Sequence, residues 1–295
     1  MKLRFTALLL LSFPAVTATA QTPSEPATSV FIGEMPAGSW LRIRNLRGSI
    51  EVREAPGRSV VVTARRRLSL RREGDITFDV RRDGANVTVC ALWRRTTRCD
   101  ADGYDSRSNN DSNIGRADFI VTLPRGVKLV AATGNGNVDV RNAGAEVEAS
   151  SGNGDVSVLK AAGRVLASSG NGEIQVEGAQ GRVRASTGNG NVGVTTSAGP
   201  VSASSGNGRI DVQMATLPAD GDMEFSTGNG SIVVSFPADL SAVVDANIPF
   251  KNLNSDFAMN LPSRWNSSRI QGTIGKGGRR IRFSTGNGRV SIRKN

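Results

Sequence analysis

The sequence predicts an all-β protein: a parallel, right-handed β-solenoid (β-helix) of about 18 residues per coil, with an N-terminal cap of antiparallel strands. The first observation is a recurring Ser/Thr-Gly-Asn-Gly tetrapeptide. Its asparagines Asn135, Asn153, Asn171, Asn189 and Asn207 fall 18 residues apart, followed by Asn229 after 22 and Asn287 after 58. The second is a pair of short alternating patterns nine residues apart within each unit. One reads Val138/Val140, Val156/Val158, Ile174/Val176, Val192/Val194, Ile210/Val212 and Ile232/Val234; the other reads Val147/Ala149, Val165/Ala167, Val183/Ala185 and Val201/Ala203. A period of two places each pair on one face of a strand, with Asp139, Ser157, Gln175, Glu148, Arg184 and Ser202 facing water. The third is the invariant second glycine, at Gly136, Gly154, Gly172, Gly190 and Gly208, where a tight corner calls for positive φ.

Taken in order, residues 1–20 read as an export signal. Lys2 and Arg4 precede an apolar run over 5–16, and Ala18-Thr19-Ala20 is a small-x-small cleavage site. The run is too short for a permanent membrane anchor, and no later apolar run reaches spanning length. The expectation is an exported protein, periplasmic, secreted or at the cell surface. The chain carries a net +11; removal of the leader takes two cations and no acid, leaving +9. Residues 21–38 are a Pro/Ser/Thr linker and a first strand.

Residues 39–128 read as an Arg-rich cap containing degenerate coils. Leu41-Arg-Ile43-Arg-Asn45-Leu-Arg-Gly48-Ser-Ile50-Glu-Val52 matches 147–158 position for position, so the solenoid starts here. Longer strands with hairpin signals follow over 60–70, 76–80 and 87–93. Charged, irregular strands suit a solenoid end, which is otherwise an open edge. Cys90 and Cys99 are the only cysteines, and export removes the reducing cytosol. A local disulfide is expected, with two free thiols or a metal pair as the alternatives. Between 39 and 100 there are 15 Arg against 7 acids. Arg42, Arg44 and Arg53 alternate with inward residues and are expected to share an outer face, extended by Arg65, Arg67, Arg71 and Arg72. Guanidinium groups there suit the phosphates and carboxylates of anionic envelope polysaccharide or lipopolysaccharide.

Residues 129–295 form the repeat body: regular coils over 129–234, looser coils over 235–280 and a closing coil over 281–295. In register, Asn135, Asn153, Asn171, Asn189, Asn207, Asn229 and Asn287 would form a hydrogen-bonded ladder, with Ser150, Ser168, Ser186 and Ser204 as a second column.

The segments Leu41-x-Ile43-x-Asn45-x-x-Gly48-x-Ile50-x-Val52 and Leu123-Pro124-x-Gly126-Val127 resemble the bacterial adhesin-like β-strand-repeat family of unknown function, as do the Ser/Thr-Gly-Asn-Gly repeats and Gly275-x-Gly277-Gly278 before Thr285-Gly-Asn-Gly288. The resemblance covers nearly all of the chain after the leader. It implies an exported, β-helical protein and brings no catalytic residues.

No histidine is present, which excludes His-based triads, His metal sites and imidazole acid-base chemistry. Asp155 and Glu173, outward on adjacent coils, leave a polysaccharide-degrading β-helix enzyme as the alternative to a non-enzymatic binding or scaffold module. Nucleic acid is disfavoured by export and by the scarcity of stacking aromatics, Tyr104 being the only tyrosine. No cofactor and no metal site are expected, because Asp100, Asp102, Asp105 and Asp111 lack calcium-loop spacing.

The nine-residue half-period is similar to that of calcium-binding β-rolls, yet Val156, Ile174, Val192 and Ile210 stand where those repeats place the ligand aspartate. Folding should therefore be independent of calcium. A chelator is expected to leave the β-sheet circular dichroism of the purified protein unchanged.

Overall fold

The computed structural model describes residues 26–67, 76–94, 96–106, 115–196, 198–217, 221–262 and 269–295. Two long sheets, one of 12 strands and one of 13, form the opposite walls of a β-solenoid. Each coil contributes one strand to each wall. Val147–Asn153, for example, lies in the 13-stranded wall and Val156–Leu159 in the 12-stranded one. Strands pair in parallel with the next coil, 18 residues on: Val147 with Val165, Val156 with Ile174. Inward Val, Ile and Ala fill the space between the walls, and Val156, Val158, Ile174 and Val176 are buried. A fully buried aliphatic side chain of this size contributes roughly 2 kcal/mol.

The corner between the walls explains the signature tetrapeptide. Its first residue points inward, and its hydroxyl donates to the carbonyl of the second glycine one coil below: Ser151 to Gly136 at 2.8 Å, Ser169 to Gly154 at 2.9 Å, Thr187 to Gly172 at 2.9 Å. The second glycine is required chiefly by closeness. A Cβ at Gly154 would run into the carbonyl of Gly136, and one at Gly172 into that of Gly154. Positive φ occurs at Gly136 (149°), Gly154 (147°) and Gly190 (151°), whereas at Gly172 and Gly208 the backbone lies outside that region, so the turn geometry expected for every unit is only part of the reason. The asparagine between the glycines is exposed, and each donates Nδ2–H to the Oδ1 of the one before, from Asn153 to Asn135 (2.9 Å) up to Asn287 to Asn229 (2.7 Å). Ser204 likewise reaches Ser186 in the second column, at 2.9 Å.

The 58-residue step to Asn287 is a single step in space. Arg279–Asn287 pairs directly with Met223–Asn229 on one side and with Ala242–Asn247 on the other. Val290–Lys294 sits likewise between Ile232–Phe236 and Leu253–Ser255. The final repeat thus does not close the stack, as its place in the chain suggests. It fills a slot between two coils made earlier, because its tetrapeptide alone matches the corner of 223–236.

The N-terminal end mirrors this arrangement. The coil of Trp40–Arg47 and Ile50–Ala55 is laid down first and pairs with Lys128–Asn135 and Val138–Arg141 on its inner side. On its outer side lie Asn86–Trp93 and Arg116–Pro124, which come between the two coils in sequence. Antiparallel strands complete the cap: Ile76–Asp83 on Asn86–Trp93, Ser59–Arg67 on Arg116–Pro124, and Thr28–Glu34 on Ser59–Arg67. In this first coil Asn45 replaces the corner hydroxyl, donating to the carbonyls of Gly48 (3.1 Å) and Ala117 (2.9 Å). A short ribbon, Thr96–Cys99 with Tyr104–Ser106, is tied down by a Cys90–Cys99 disulfide and by the Tyr104 hydroxyl donating to Ala91 O at 2.9 Å. The expected leader lies outside the described residues.

Ile174→Asp would bury an unpaired charge and should cost on the order of 4 kcal/mol or prevent folding, whereas Ser157→Asp on the outer face should change stability by less than about 0.5 kcal/mol. Chemical denaturation of the two variants checks this; equal midpoints would refute the inward and outward assignment. Burial pushes the Tyr104 hydroxyl up from 10.0 to about 12, partly offset by its contact with Thr96. A raised phenol favours the folded state below its unfolded value, and that contribution disappears as pH rises from 10 through about 12. As the chain has one tyrosine, ultraviolet titration should show a native phenolate midpoint near 12 that falls towards 10 in denaturant.

Candidate cationic face

Strand Trp40–Arg47 buries Leu41, Ile43 and Asn45, which leaves Trp40, Arg42 and Arg44 on the outer face of the 13-stranded wall. Parallel register with the next coil sets Lys128 opposite Trp40 and Val130 opposite Arg42. Two cations therefore lie over the indole: Arg42 Cζ is 5.7 Å and Lys128 Nζ 5.2 Å from the ring centroid. Each such contact is worth about 0.5–1 kcal/mol where solvent reaches it. Asn86 Oδ1 accepts the Trp40 backbone N–H at 2.9 Å and anchors the strand to the cap. Lys128 also lies 3.8 Å from Glu146, a loose surface pair.

Arg44, two residues along, is held differently. Its Nη2 donates to Ala101 O at 2.7 Å, while its Nε has no hydrogen-bond partner among the described residues. Ala101 belongs to the turn after Cys99, and Cys90 is the register partner of Arg44, so the disulfide fastens a polar turn over this guanidinium. Burial lowers the Arg44 pKa, helped by the charge of Arg42 and opposed by Glu148, Asp100 and Asp102. In that turn the Arg98 hydrogen bond pulls Asp100 down to about 2.

Arg53, Arg65 and Arg67 are not part of this face. They stand on the 12-stranded wall, on the far side of the core. The alternation along 41–47 does not carry to Arg53, because the chain turns a corner at Gly48 (φ 125°) and enters the other wall. Arg53 pairs with Glu51, its Nε donating at 2.9 Å, and Arg67 lies 3.5 Å from Asp118. Asp118 is the hub of that side. Burial alone would raise its pKa, but hydrogen bonds from Arg116 and from the Ser49 backbone N–H and hydroxyl hold it below the usual value. Arg71 and Arg72 lie outside the described residues.

The remaining candidates are absorbed by the corners. The Asp155 carboxylate accepts the Glu173 backbone N–H at 2.8 Å, as Asn137 accepts that of Asp155 at 3.0 Å and Asn191 that of Arg209 at 2.9 Å. Asp155 therefore belongs, with Asn137 and Asn191, to a column of side chains that cap the backbone of the next coil, and Glu173 enters it through its backbone N–H. No group of three or more potential metal-ligating His, Cys, Asp or Glu side chains occurs among the described residues. No helix among them is long and apolar enough to cross a membrane.

Sequence reasoning missed Trp40 and Lys128. Aligning Leu129 with Leu41 as equivalent positions of adjacent coils would have placed the two side by side. It also missed the inward hydroxyls Thr133, Ser151, Ser169, Thr187, Ser205, Thr227 and Thr285, the variable first letter of the signature.

No curated protein matches this chain in sequence. Crystal structures similar to it include a candidate cell adhesion protein from Clostridium sporogenes ATCC 15579, at 9% identity and TM-score 0.28, covering 92% of this chain and 100% of that one, and a candidate adhesin from Bacteroides fragilis NCTC 9343, at 11% identity and TM-score 0.37, covering 92% and 99%. The pattern of one described family runs through both walls and across the inserted coil, matching residues 43–293. The chain belongs to the Toastrack DUF4097 family.

Proposed function

We propose that the protein is an exported, non-enzymatic binding or scaffold module of the cell envelope, adhesin-like in the sense that it holds a polymer on a rigid face. The ligand class is an anionic polysaccharide or the phosphorylated saccharide of lipopolysaccharide. The observation that carries this reading is the pair of cations, Arg42 and Lys128, gathered over the Trp40 indole on a sheet face. The two cations held on the indole suit the carboxylates or phosphates of such a polymer. Arg44, locked by Ala101, adds fixed positive charge beside them. The leader motif over 1–20 supports export.

Trp40→Ala and the pair Arg42→Glu with Lys128→Glu are expected to weaken binding to lipopolysaccharide or an acidic polysaccharide by about tenfold or more, with little change in melting temperature. Wild-type binding should also fall steeply as salt rises, because exposed charges are screened over about 10 Å at 0.1 M. The triple variant Arg53→Glu, Arg65→Glu, Arg67→Glu on the opposite wall is the control. Calorimetry showing loss in the control and none in the Trp40 face variants would overturn the assignment.

A further inference from the structure

A second surface, at the other end of the 13-stranded wall, has the opposite character. The inserted coil brings together strands Met223–Asn229, Arg279–Asn287, Ala242–Asn247 and Ile270–Ile274, drawn from separate parts of the sequence. Register aligns Glu224, Arg282 and Asp245 as neighbours in one row, and Ser284 with Asn247 in the row beside it. Arg269 reaches over to Asp245 and donates through Nε (3.0 Å) and Nη2 (2.8 Å). Long side chains in one row and short ones in the next leave a cleft of about 320 Å³ above the backbone of Phe225 and Phe283, whose rings stack beneath it in the core at 5.4 Å.

The chemistry of the lining is balanced. Arg269 and Arg282 supply donors, Glu224 and Asp245 supply acceptors, and Asn247 and Ser284 supply both. Asp245 is only 17% exposed, and the Arg269 hydrogen bonds, reinforced by the charges of Arg282 and Arg280, keep it ionised well below the usual carboxylate range. Its two hydrogen bonds in turn fix the guanidinium plane of Arg269. A polyanion entering here meets Glu224 and Asp245, and a cation meets the two arginines. A neutral ligand carrying neighbouring hydroxyl groups pairs with both kinds of partner at once, since each hydroxyl donates once and accepts twice. The volume lies at the lower end of small-ligand sites.

We infer that the cleft bounded by Glu224, Asp245, Arg269 and Arg282 is a binding site for a neutral saccharide unit, separate from the cationic face at Trp40. It gives the protein two points of attachment on one wall, one for charged and one for uncharged glycan.

The test is a titration of the full protein with neutral oligosaccharides of glucose, galactose, mannose and N-acetylglucosamine, read by saturation-transfer NMR and calorimetry. At least one is expected to bind saturably, with an affinity that changes less than about twofold when salt rises from about 50 to about 300 mM, since no net charge is paired. Ser284→Phe fills the cleft from a half-buried position on the outer strand face and should abolish that binding. Asn247→Ala should weaken it about fivefold or more by removing the amide's two N–H donors and its carbonyl acceptor. Trp40→Ala and Arg42→Glu should leave it intact, which separates failure of this site from failure of the anionic one. Absence of saturable binding across the panel, or binding that survives both Ser284→Phe and Asn247→Ala, would overturn the inference. Steeply salt-dependent binding would do the same.

Discussion

The structure depends on one close approach: the backbone at each corner lies directly over the backbone of the corner below. The carbonyl of the second glycine in one coil occupies the space a Cβ of the next would need, and the inward Ser or Thr hydroxyl of the next coil hydrogen-bonds that carbonyl. Absence of a side chain and presence of a buried donor are thus two halves of one requirement. If the glycine gains a Cβ, the coils are forced apart; if the hydroxyl is lost, a buried carbonyl loses a partner, with a penalty of about 1–3 kcal/mol. The exposed asparagine ladder lies outside this contact and fixes the same register from the solvent side.

With register settled at the corners, the strand faces are free to differ. The inner faces keep Val, Ile and Ala, while the outer ones vary from coil to coil. Along the row that begins at Arg42, the side chains run Val130, Glu148, Leu166, Arg184, Ser202, Glu224, Arg282 and Asp245. Chemistry can therefore be written onto the wall one position at a time without disturbing the core. The two surfaces singled out lie near opposite ends of that row, where the regular coils meet elements that do not follow the 18-residue rule.

Much of this was legible in the sequence because a solenoid repeats its physics as well as its fold. Alternation and spacing assign strands, inward residues and the asparagine ladder without reference to distant parts of the chain. What depends on joining distant parts was not legible. The distribution of Arg42, Arg44 and Arg53 over two walls turns on a corner at Gly48, which sequence alternation passes straight through. The neighbour of Trp40 is Lys128, 88 residues away in sequence and adjacent in space. The cleft at Asp245 owes its lining to the slot taken by 279–294, and a perfect repeat placed late in the chain reads naturally as the end of the stack. Asp155 and Glu173 read as an outward acidic pair, because sequence does not reveal that the Asp155 carboxylate at its corner accepts the backbone N–H of Glu173 in the next coil.

The interleaving at the two ends also bears on how the protein is made. A simple solenoid can be wound in the order it is synthesised, each coil adding to an existing edge, with the newest coil always outermost. Here the segment 242–255 emerges before 279–294 yet lies beyond it, so it must hold a place one strand width away from its eventual neighbour. Until the later segment arrives, the coil of 223–236 presents an unpaired parallel edge of full length. Such an edge is a template for any strand of similar pattern, and this chain carries many. Biogenesis therefore has a vulnerable interval before release of 279–294, and a matching one at the other end before release of 128–141, during which association with another nascent copy competes with completion. Afterwards the inserted coil acts as a keystone: it is gripped from both sides, so it cannot peel away as a simple terminal repeat would.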